Sequence, residues 1–232
     1  MCWLIIILLI ALTLFFVWAS ADVGSGIYLK TVCKAEVVDR VVALTFDDGP
    51  DELMTPRVLD VLKKHDVKAT FFLIGAKVDQ CPDIVRRIVE EGHIVASHTY
   101  SHRGLFPLYG RKKVKQEVLK CRKSISNVVG VAPLLFRPPF GVTNPIIGKV
   151  VNELGLKTIG WSIRTLDTIK RRNSEKVRGR VVDLLHPGAI ILLHDRCTNA
   201  DMLLDEVINA ILKKKYSFIT LDKILKSDVY ES

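Results

Sequence analysis

The sequence lacks a cysteine framework. Only five of its 232 residues are cysteine, no two of them form a Cys-x-x-Cys pair, and Cys2 lies in an apolar leader. This pattern excludes a disulfide-rich scaffold and a zinc ribbon. One disulfide among the other four cysteines is compatible with the sequence, which does not assign the pair. The chain also lacks internal repeats and low-complexity segments, so its length predicts one globular domain with a large core.

Charge is absent from the start of the chain and predominantly positive in the rest. Residues 1–21 carry no charged side chain, although the formal net charge is +9. The basic residues include small groups at residues 111–113, 170–172 and 213–215. No aromatic residues interleave with these groups, which argues against a nucleic-acid partner. We expect them to be solvated helix faces, or to attract anionic lipid or an anionic wall polymer.

The leader is apolar and ends in small residues. Residues 3–17 are almost wholly apolar, and Ala19-Ser20-Ala21 fits the small-x-small rule for signal cleavage. However, no Lys or Arg precedes the run, and it exceeds the ~7–15 residues of a typical signal core. It is slightly short for a spanning helix, which usually needs ~20 residues. We expect a membrane-inserted signal anchor, with a cleaved, secreted form as the alternative; both place the rest of the chain in or beyond the cell envelope.

Beyond the leader, short apolar runs alternate with helical segments. Seven runs predict strands, at residues 41–46, 69–75, 93–97, 134–136, 157–161, 189–193 and 217–220. Helices are expected near residues 55–65, 82–91, 111–127, 144–154, 174–186 and 201–214. This alternation predicts an α/β fold with a parallel sheet, and the number of units suggests a barrel. The expected divisions are a leader over 1–21, a linker over 22–39, one domain over 40–226 and a tail over 227–232.

The polar residues with reactive side chains come directly after predicted strands. They occur at residues 47–48, 97–102, 137–141, 161–167 and 194–195. The carboxyl ends of parallel strands meet at one rim of a βα barrel, where such folds place their sites. We therefore expect these five stretches to form one site.

Two of these stretches have the composition of a metal site. His98 and His102 are four residues apart, and on a helical turn both imidazoles would face the same side. One carboxylate of the Asp47-Asp48 pair would complete a His-His-Asp set that leaves room for water. Zinc suits such ligands. The same trio also suits non-haem Fe(II), so ligand type alone does not identify the metal.

Three further residues have the chemistry that a metal-dependent hydrolase requires. The aspartate of the Asp47-Asp48 pair that does not bind the metal can act as a base, and His194 can act as an acid. Arg137 can pair with the base and keep it ionised. Each residue also has an ordinary alternative: a solvated Asp-Gly-Pro turn, an arginine before a Pro-Pro turn, and a cap at a helix start.

Four motifs occur in an order that resembles a known family. They are Thr45-Phe46-Asp47-Asp48-Gly49-Pro50, His98-Thr99-x-x-His102, Arg137-Pro138-Pro139-Phe140-Gly141 and Leu192-Leu193-His194-Asp195. Together they resemble the polysaccharide deacetylases, the NodB-homology family of carbohydrate esterases (family 4). The resemblance covers about residues 40–222. It implies a distorted, incomplete (β/α) barrel, which agrees with the seven units expected above.

The resemblance also implies roles for individual residues. Asp47 would be the general base, held by Arg137, and His194 would protonate the departing amine. The backbone N–H of Phe140 would contribute to an oxyanion hole, and Leu192 would line the pocket for the acetyl methyl group. The metal ligands would be Asp48, His98 and His102.

The implied reaction is metal-dependent hydrolysis of N-acetyl or O-acetyl groups on a polysaccharide such as peptidoglycan or chitooligosaccharide. Zn²⁺ is the first expectation for the metal, with Co²⁺, Ni²⁺ and Mn²⁺ as alternatives. Two other functions stay open: an inactive carbohydrate-binding relative, and a different envelope amidase. A binding protein would need neither Asp47 nor His194, which favours the enzyme. The sequence does not indicate an oligomeric state.

The chain departs from the family pattern in its third and fourth motifs. Phe140 stands where Tyr is usual, which leaves the role of its backbone unchanged. Arg164 replaces an aspartate of the fourth motif, and Thr168 replaces a tryptophan. Asp167, which the motif retains, is expected to support either His194 or Arg137. The groove wall that the missing tryptophan would supply is expected from Trp161 or Phe106.

Overall fold

The computed structural model describes residues 2–169 and 173–231, so the basic group at 170–172 lies outside the described residues. The strands are β1 (Thr31–Val32), β2 (Val41–Gly49), β3 (Thr70–Leu73), β4 (Ile94–Ser97), β5 (Leu135–Phe136), β6 (Lys157–Ile159), β7 (Ile163–Arg164), β8 (Ala189–His194) and β9 (Ser217–Phe218). The helices are α1 (Cys2–Ala21), α2 (Met54–Lys64), α3 (Gly75–Gln80), α4 (Pro82–Glu90), α5 (Arg111–Val129), α6 (Pro145–Glu153), α7 (Ser174–Asp183), α8 (Ala200–Lys213) and α9 (Leu221–Leu225).

The strands form one curled parallel sheet. Their order is β1-β6-β5-β4-β3-β2-β8-β7, and β9 pairs with the start of β2. Each of these strand pairs is parallel. Between the described residues of β1 and β7 there is no ladder, so the barrel is incomplete. The α/β fold and the incomplete (β/α) barrel expected from the sequence are confirmed.

Strand β2 occupies the centre of the fold. Its residues from Val42 to Gly49 are all buried, as expected for a strand of a parallel sheet with both faces covered. It pairs with β3 on one side and with β8 on the other, where Asp47 lies opposite His194. The strand that carries the two aspartates is therefore held by its neighbours along its whole length.

The sequence did not indicate four of the short elements, although it predicted the two-residue strands β5 and β9 as parts of longer apolar runs. Strands β1 and β7 have two residues each, and α3 and α9 have six and five. Such lengths are too short to show a period of side-chain burial. Strand β1 lies inside the segment 22–39 that was expected to be a linker. The helix expected over 174–186 ends at Asp183, and the strand expected over 69–75 ends at Leu73.

The four cysteines beyond the leader are thiols. Cys33, Cys81, Cys121 and Cys197 are free, so no disulfide links this part of the chain. The core consists instead of apolar side chains on both faces of the sheet.

Helix α1 is long and apolar enough to cross a membrane, a property that signal sequences near the N-terminus share. Its residues Trp3 to Trp18 are exposed on every side, whereas Ala19 is fully buried. The helix thus projects from the domain and contacts it only through its last turn.

Helix α6 packs so closely on the segment before β1 that it has no room for a side chain at Gly148. A Cβ built there would lie 2.3 Å from the carbonyl oxygen of Tyr28. We expect Gly148→Ala to destabilise the domain by about 1–3 kcal/mol, the usual cost of overpacking. The matched control is Gly179→Ala in α7, where a Cβ would meet nothing within 4 Å.

The control should be neutral or stabilising, by up to about 1 kcal/mol, because alanine favours a helix over glycine. Thermal unfolding of the full chain in detergent measures both variants. Equal unfolding temperatures for the two would contradict the close contact of α6 with Tyr28.

Candidate active site

The carboxyl ends of the strands bring five polar residues together at one rim. Asp47 and Asp48 lie near the end of β2, and His98 follows β4 directly. Arg137 follows β5, and His194 ends β8. These are residues that the sequence predicted to share a rim, and they line or underlie one small pocket.

Arg137 and Asp47 form a buried ion pair beneath the pocket. The Arg137 side chain is fully buried, and its Nη1 donates to Asp47 Oδ1 at 2.6 Å. The same nitrogen donates to Thr45 Oγ1 at 3.0 Å. Nε donates to the carbonyl oxygen of Ile159 at 3.0 Å, and Nη2 donates to that of Gly160 at 2.7 Å.

This set of acceptors explains how a guanidinium is tolerated in the interior. Burial lowers the pKa of Arg137, and the charge and hydrogen bond of Asp47 oppose that shift. Removing one partner of such a pair leaves an uncompensated buried charge, which typically costs ~3–5 kcal/mol. Asp47 Oδ1 is therefore firmly held, while Oδ2 lies 3.8 Å from His98 Nε2 and faces the pocket.

Asp48, His98 and His102 converge as a potential metal site. One ligand atom from each residue lies within 4.8 Å of the others. Nε2 of His98 is 3.6 Å from Asp48 Oδ1, and Nε2 of His102 is 3.3 Å from the same oxygen. His98 Nδ1 donates to the carbonyl oxygen of Arg137 at 2.8 Å, which leaves the lone pair of Nε2 for a ligand. Three protein ligands with an open side are the arrangement of a catalytic zinc site.

The pKa shifts of Asp48 and His102 suit a cation. Burial raises the pKa of Asp48, but His98, His102 and a hydrogen bond from Arg196 outweigh it and lower that pKa to about 2. Burial, followed by the charge of His98, lowers the pKa of His102 to about 4. At neutral pH the site therefore offers an ionised carboxylate and a neutral imidazole, both in the form that metals bind.

The spacing of the two histidines had suggested a helical turn, but the structure does not place them on one. They occupy a loop after β4 in which Thr99 and His102 have positive φ angles of 67° and 46°. Glu117 of α5 holds this loop by accepting hydrogen bonds from the N–H and hydroxyl of Ser101, at 2.8 and 2.9 Å. A left-handed backbone, rather than helical periodicity, brings the imidazole rings to a centroid distance of 4.7 Å.

Asp167 contacts His194 rather than Arg137. Its Oδ1 accepts from His194 Nδ1 at 2.8 Å, and its Oδ2 accepts from the backbone N–H of His194 at 2.7 Å. Burial lowers the pKa of His194, but the hydrogen bond and charge of Asp167 outweigh it, so the net shift is upward. Because a carboxylate can only accept, Nδ1 carries the proton and Nε2 is the atom available for chemistry.

Residues of the strands β7 and β8 and of the loops that follow β5, β6, β7 and β8 form the pocket walls. The residues that surround the polar groups are Phe140, Gly141, Trp161, Arg164, Thr168, Leu192 and Arg196. Phe140 has a φ angle of 61° and its ring lies 4.8 Å from that of His102. The suggestion that Phe106 replaces the missing tryptophan is wrong, because Phe106 is buried in a separate cluster with Tyr109. Trp161 lies in the wall.

Sequence analysis did not predict the contacts that two residues, Arg196 and Asp195, make at the site. Arg196 donates from Nε to Asp48 Oδ2 at 2.7 Å and so orients the third ligand; its position directly after His194-Asp195 was the available signal. Asp195 is fully buried and accepts from Thr55 Oγ1 at 2.6 Å. It lies so close to β2 that a Cβ on Gly49 would be 2.3 Å from its Oδ2, which explains the glycine.

Comparison with known proteins agrees with this geometry. A model of the family described as polysaccharide deacetylase matches residues 34–159, more than half of the chain. The chain belongs to the polysaccharide deacetylase family. The matched region contains the three potential metal ligands and the Arg137–Asp47 pair, whereas Asp167 and His194 lie beyond it.

Relatives within the polysaccharide deacetylase family include bacterial peptidoglycan and chitooligosaccharide deacetylases. The chain is 38% identical over 212 residues to the peptidoglycan-N-acetylglucosamine deacetylase PgdA of Listeria monocytogenes, covering 88% of this chain but only 44% of that relative. It is 39% identical over 171 residues to a chitooligosaccharide deacetylase of Sinorhizobium fredii, covering 73% and 79%. Its fold matches the crystal structure of the Bc1960 peptidoglycan N-acetylglucosamine deacetylase with a TM-score of 0.81 and 33% identity, covering 87% and 95%.

Removing one ligand should abolish tight metal binding. We expect His98→Ala to weaken Zn²⁺ binding by about 100-fold or more, because losing only an outer-shell partner of a ligand already costs ~10–100-fold. The control is His65→Ala, since His65 pairs with Asp205 far from the rim. Titration calorimetry and metal analysis of the dialysed proteins measure the effect. Full metal occupancy in His98→Ala would remove His98 from the ligand set.

Proposed function

We propose that this chain is a metal-dependent polysaccharide deacetylase of the cell envelope. It hydrolyses N-acetyl groups, with O-acetyl groups as the chemically related alternative, on a polymer such as peptidoglycan or chitooligosaccharide. One observation carries the proposal: an arginine-held carboxylate and an aspartate-held imidazole flank the Asp48-His98-His102 trio in a single pocket. The substrates named for the relatives support the polymer class.

Asp48, His98 and His102 hold the metal in this proposal. Zn²⁺ fits the two imidazoles and one carboxylate, with Co²⁺, Ni²⁺, Mn²⁺ or non-haem Fe(II) as alternatives to be separated by measurement. When bound, the metal would polarise the acetyl carbonyl and acidify the attacking water. The remaining chemistry is assigned to residues of the chain.

Asp47 is the general base. The ion pair with Arg137 fixes Oδ1, which leaves Oδ2 facing the ligand trio, 3.8 Å from His98 Nε2. From this position Oδ2 removes a proton from the attacking water. The water oxygen forms a bond to the acetyl carbon, and the developing oxyanion is stabilised by the backbone N–H of Phe140.

His194 is the general acid. Its Nδ1 proton is engaged by Asp167, so Nε2 delivers a proton to the sugar nitrogen as the carbon–nitrogen bond breaks. The products are acetate and a free amine. The upward shift of the His194 pKa keeps the imidazole protonated over a wider pH range than an isolated histidine would be.

The walls position the acetyl group and the sugar. Leu192, nearly fully buried in β8, contacts the acetyl methyl group, and Trp161 supplies an aromatic face. Arg164 and Thr168 line the pocket where the family pattern has an acid and a tryptophan. We expect these two substitutions to change the preferred sugar rather than the reaction.

Replacing the base should stop turnover without removing the metal. We expect Asp47→Asn to lower the rate by about 10²–10⁴-fold or more, the usual contribution of a general base. Zn²⁺ binding should change little, because Asp47 is not among the proposed ligands. Acetate release and metal content are measured on the same preparation, with exposed Asp83→Asn as the control. Near-normal turnover in Asp47→Asn would refute its role as the base.

Replacing the partner of His194 should shift the pH profile. Asp167→Asn removes the charge that raises the pKa of His194, so that pKa falls. Because His194 must be protonated to act as an acid, the basic limb of kcat should move to lower pH. The pH dependence of acetate release tests this expectation. An unchanged basic limb would mean that another group is the acid.

The reaction class is tested by product analysis. The full chain in detergent is offered peptidoglycan, chitooligosaccharide and acetylated xylan, with Zn²⁺ or with chelator. Metal-dependent acetate together with new free amine supports the proposal, and acetate from xylan supports the O-acetyl alternative. Cleaved peptide from peptidoglycan would identify an envelope amidase. Polymer binding without product, in protein with bound metal, would identify an inactive carbohydrate-binding relative.

A further inference from the structure

The end of the apolar leader is part of the folded domain. Along α1 the side chains are exposed as far as Trp18, which is 49% exposed, but Ala19 is 0% exposed and Val23 is 5% exposed. The change occurs within one residue. Ala19 is therefore enclosed by the domain, whereas the preceding leader residues from Trp3 to Trp18 are exposed.

The last turn of α1 is hydrogen-bonded to the catalytic turn that carries Phe140. The backbone N–H of Thr143 donates to the carbonyl oxygen of Ser20 at 2.9 Å. The hydroxyl of Thr143 donates to the carbonyl oxygen of Ala19 at 3.3 Å, and Ser25 Oγ donates to the same oxygen at 2.8 Å. Thr143 is itself buried, so its N–H depends on Ser20 for a partner.

The chain then continues along the back of the pocket wall. Val23 packs against Gly141 and Gly160. A Cβ built on Gly141 would lie 3.4 Å from the Val23 side chain, and a Cβ built on Gly160 would lie 3.1 Å from it. Gly141 is in the Phe140 turn, and Gly160 accepts a hydrogen bond from Arg137. Residues 19–23 thus support both the oxyanion turn and the strand end that holds the buried arginine.

Cleavage after Ala21 would remove the hydrogen-bonded part of this support and would leave only the packing of Val23. The residues lost would include Ala19 and Ser20, and the buried N–H of Thr143 would lose its acceptor. An unsatisfied buried donor is costly, and small displacements of catalytic groups can lower a rate by ~10²-fold. Packing therefore accounts for the small residue at position 19, because Ala19 is enclosed by the domain.

We propose that α1 is retained as a membrane anchor and that its last turn is a structural part of the active-site wall. The partner is the lipid bilayer: the exposed residues Trp3 to Trp18 extend for about 24 Å at ~1.5 Å each, and a span slightly shorter than the ~30 Å hydrocarbon core is accommodated by local thinning of the bilayer. Because only Ala19 and Ser20 separate exposed Trp18 from the Phe140 turn, the catalytic rim lies at the membrane surface. The substrate that follows, given the proposed function, is polymer next to the membrane rather than at the outer face of the wall.

The first measurement is the mass of the mature chain. The full chain with a C-terminal tag is produced in a bacterium, extracted from membranes in detergent and analysed by mass spectrometry. We expect residues 1–21 to be present in the active protein. A mature, fully active protein that begins at Asp22 would overturn the inference.

The second measurement compares two alanines of the same helix. Ala19→Leu enlarges the residue enclosed beside Thr143, whereas Ala11→Leu makes the same change at an exposed position. Both variants should insert into the membrane. We expect Ala19→Leu to lower acetate release by about 10- to 100-fold with Zn²⁺ binding retained, and Ala11→Leu to match the parent chain. Equal activity of the two variants would refute the coupling.

Hydrogen exchange separates this inference from the proposed function. If no substrate releases acetate, exchange in the 138–143 segment still reports the contact. It should be faster in Ala19→Leu than in Ala11→Leu. If Ala19→Leu does not fold, Thr143→Val removes only the bond from its hydroxyl to Ala19 and should give a smaller change in the same direction. Equal exchange in the parent chain and this variant would count against the inference.

Discussion

The ion pair between Arg137 and Asp47 is the interaction on which the rest of the site depends. Arg137 is fully buried, and its acceptors come from β2, from the end of β6 and from the residue after it. One side chain thus ties together strands that lie apart in the sheet order. Such a charge is tolerated in the interior only when its hydrogen bonds are satisfied, so the strand ends around it have little freedom to move. The positions of the side chains at the rim are therefore fixed by the hydrogen bonds of Arg137.

Several residues at the rim, one in β2 and four in the loops, have backbone conformations that non-glycine residues rarely adopt. Asp48, Thr99, His102, Phe140 and Leu166 have positive φ angles without being glycine. Such residues typically cost ~1–3 kcal/mol each and persist only where their surroundings hold them. Here the buried strands below, Glu117 behind the histidine loop and the last turn of α1 behind the Phe140 turn provide that support. The core therefore stabilises a rim whose geometry serves ligand placement.

The proposed base and the proposed acid are each oriented by an ion pair with a neighbouring side chain. Asp47 is oriented by Arg137 on the base side, and His194 is oriented by Asp167 on the acid side. Each pair leaves one atom free toward the pocket. The fourth motif has changed around this arrangement, but its aspartate keeps the contact with His194. The changed residues, Arg164 and Thr168, lie in the wall, where they would contact substrate rather than the reacting atoms.

The sequence by itself determined the central strands, the parallel α/β barrel and the set of reactive residues, because buried strands and the polar residues after them leave local patterns. Only the tertiary structure decided how these residues combine. The imidazoles of His98 and His102 converge because loop residues have a left-handed backbone, which their spacing in the sequence does not predict. Asp167 contacts His194 from the loop after β7, next to the end of β8. Arg196 reached Asp48, and Ala19 reached Thr143, over long separations in the chain. Contacts of that kind depend on how distant segments pack, which no local pattern of residues records.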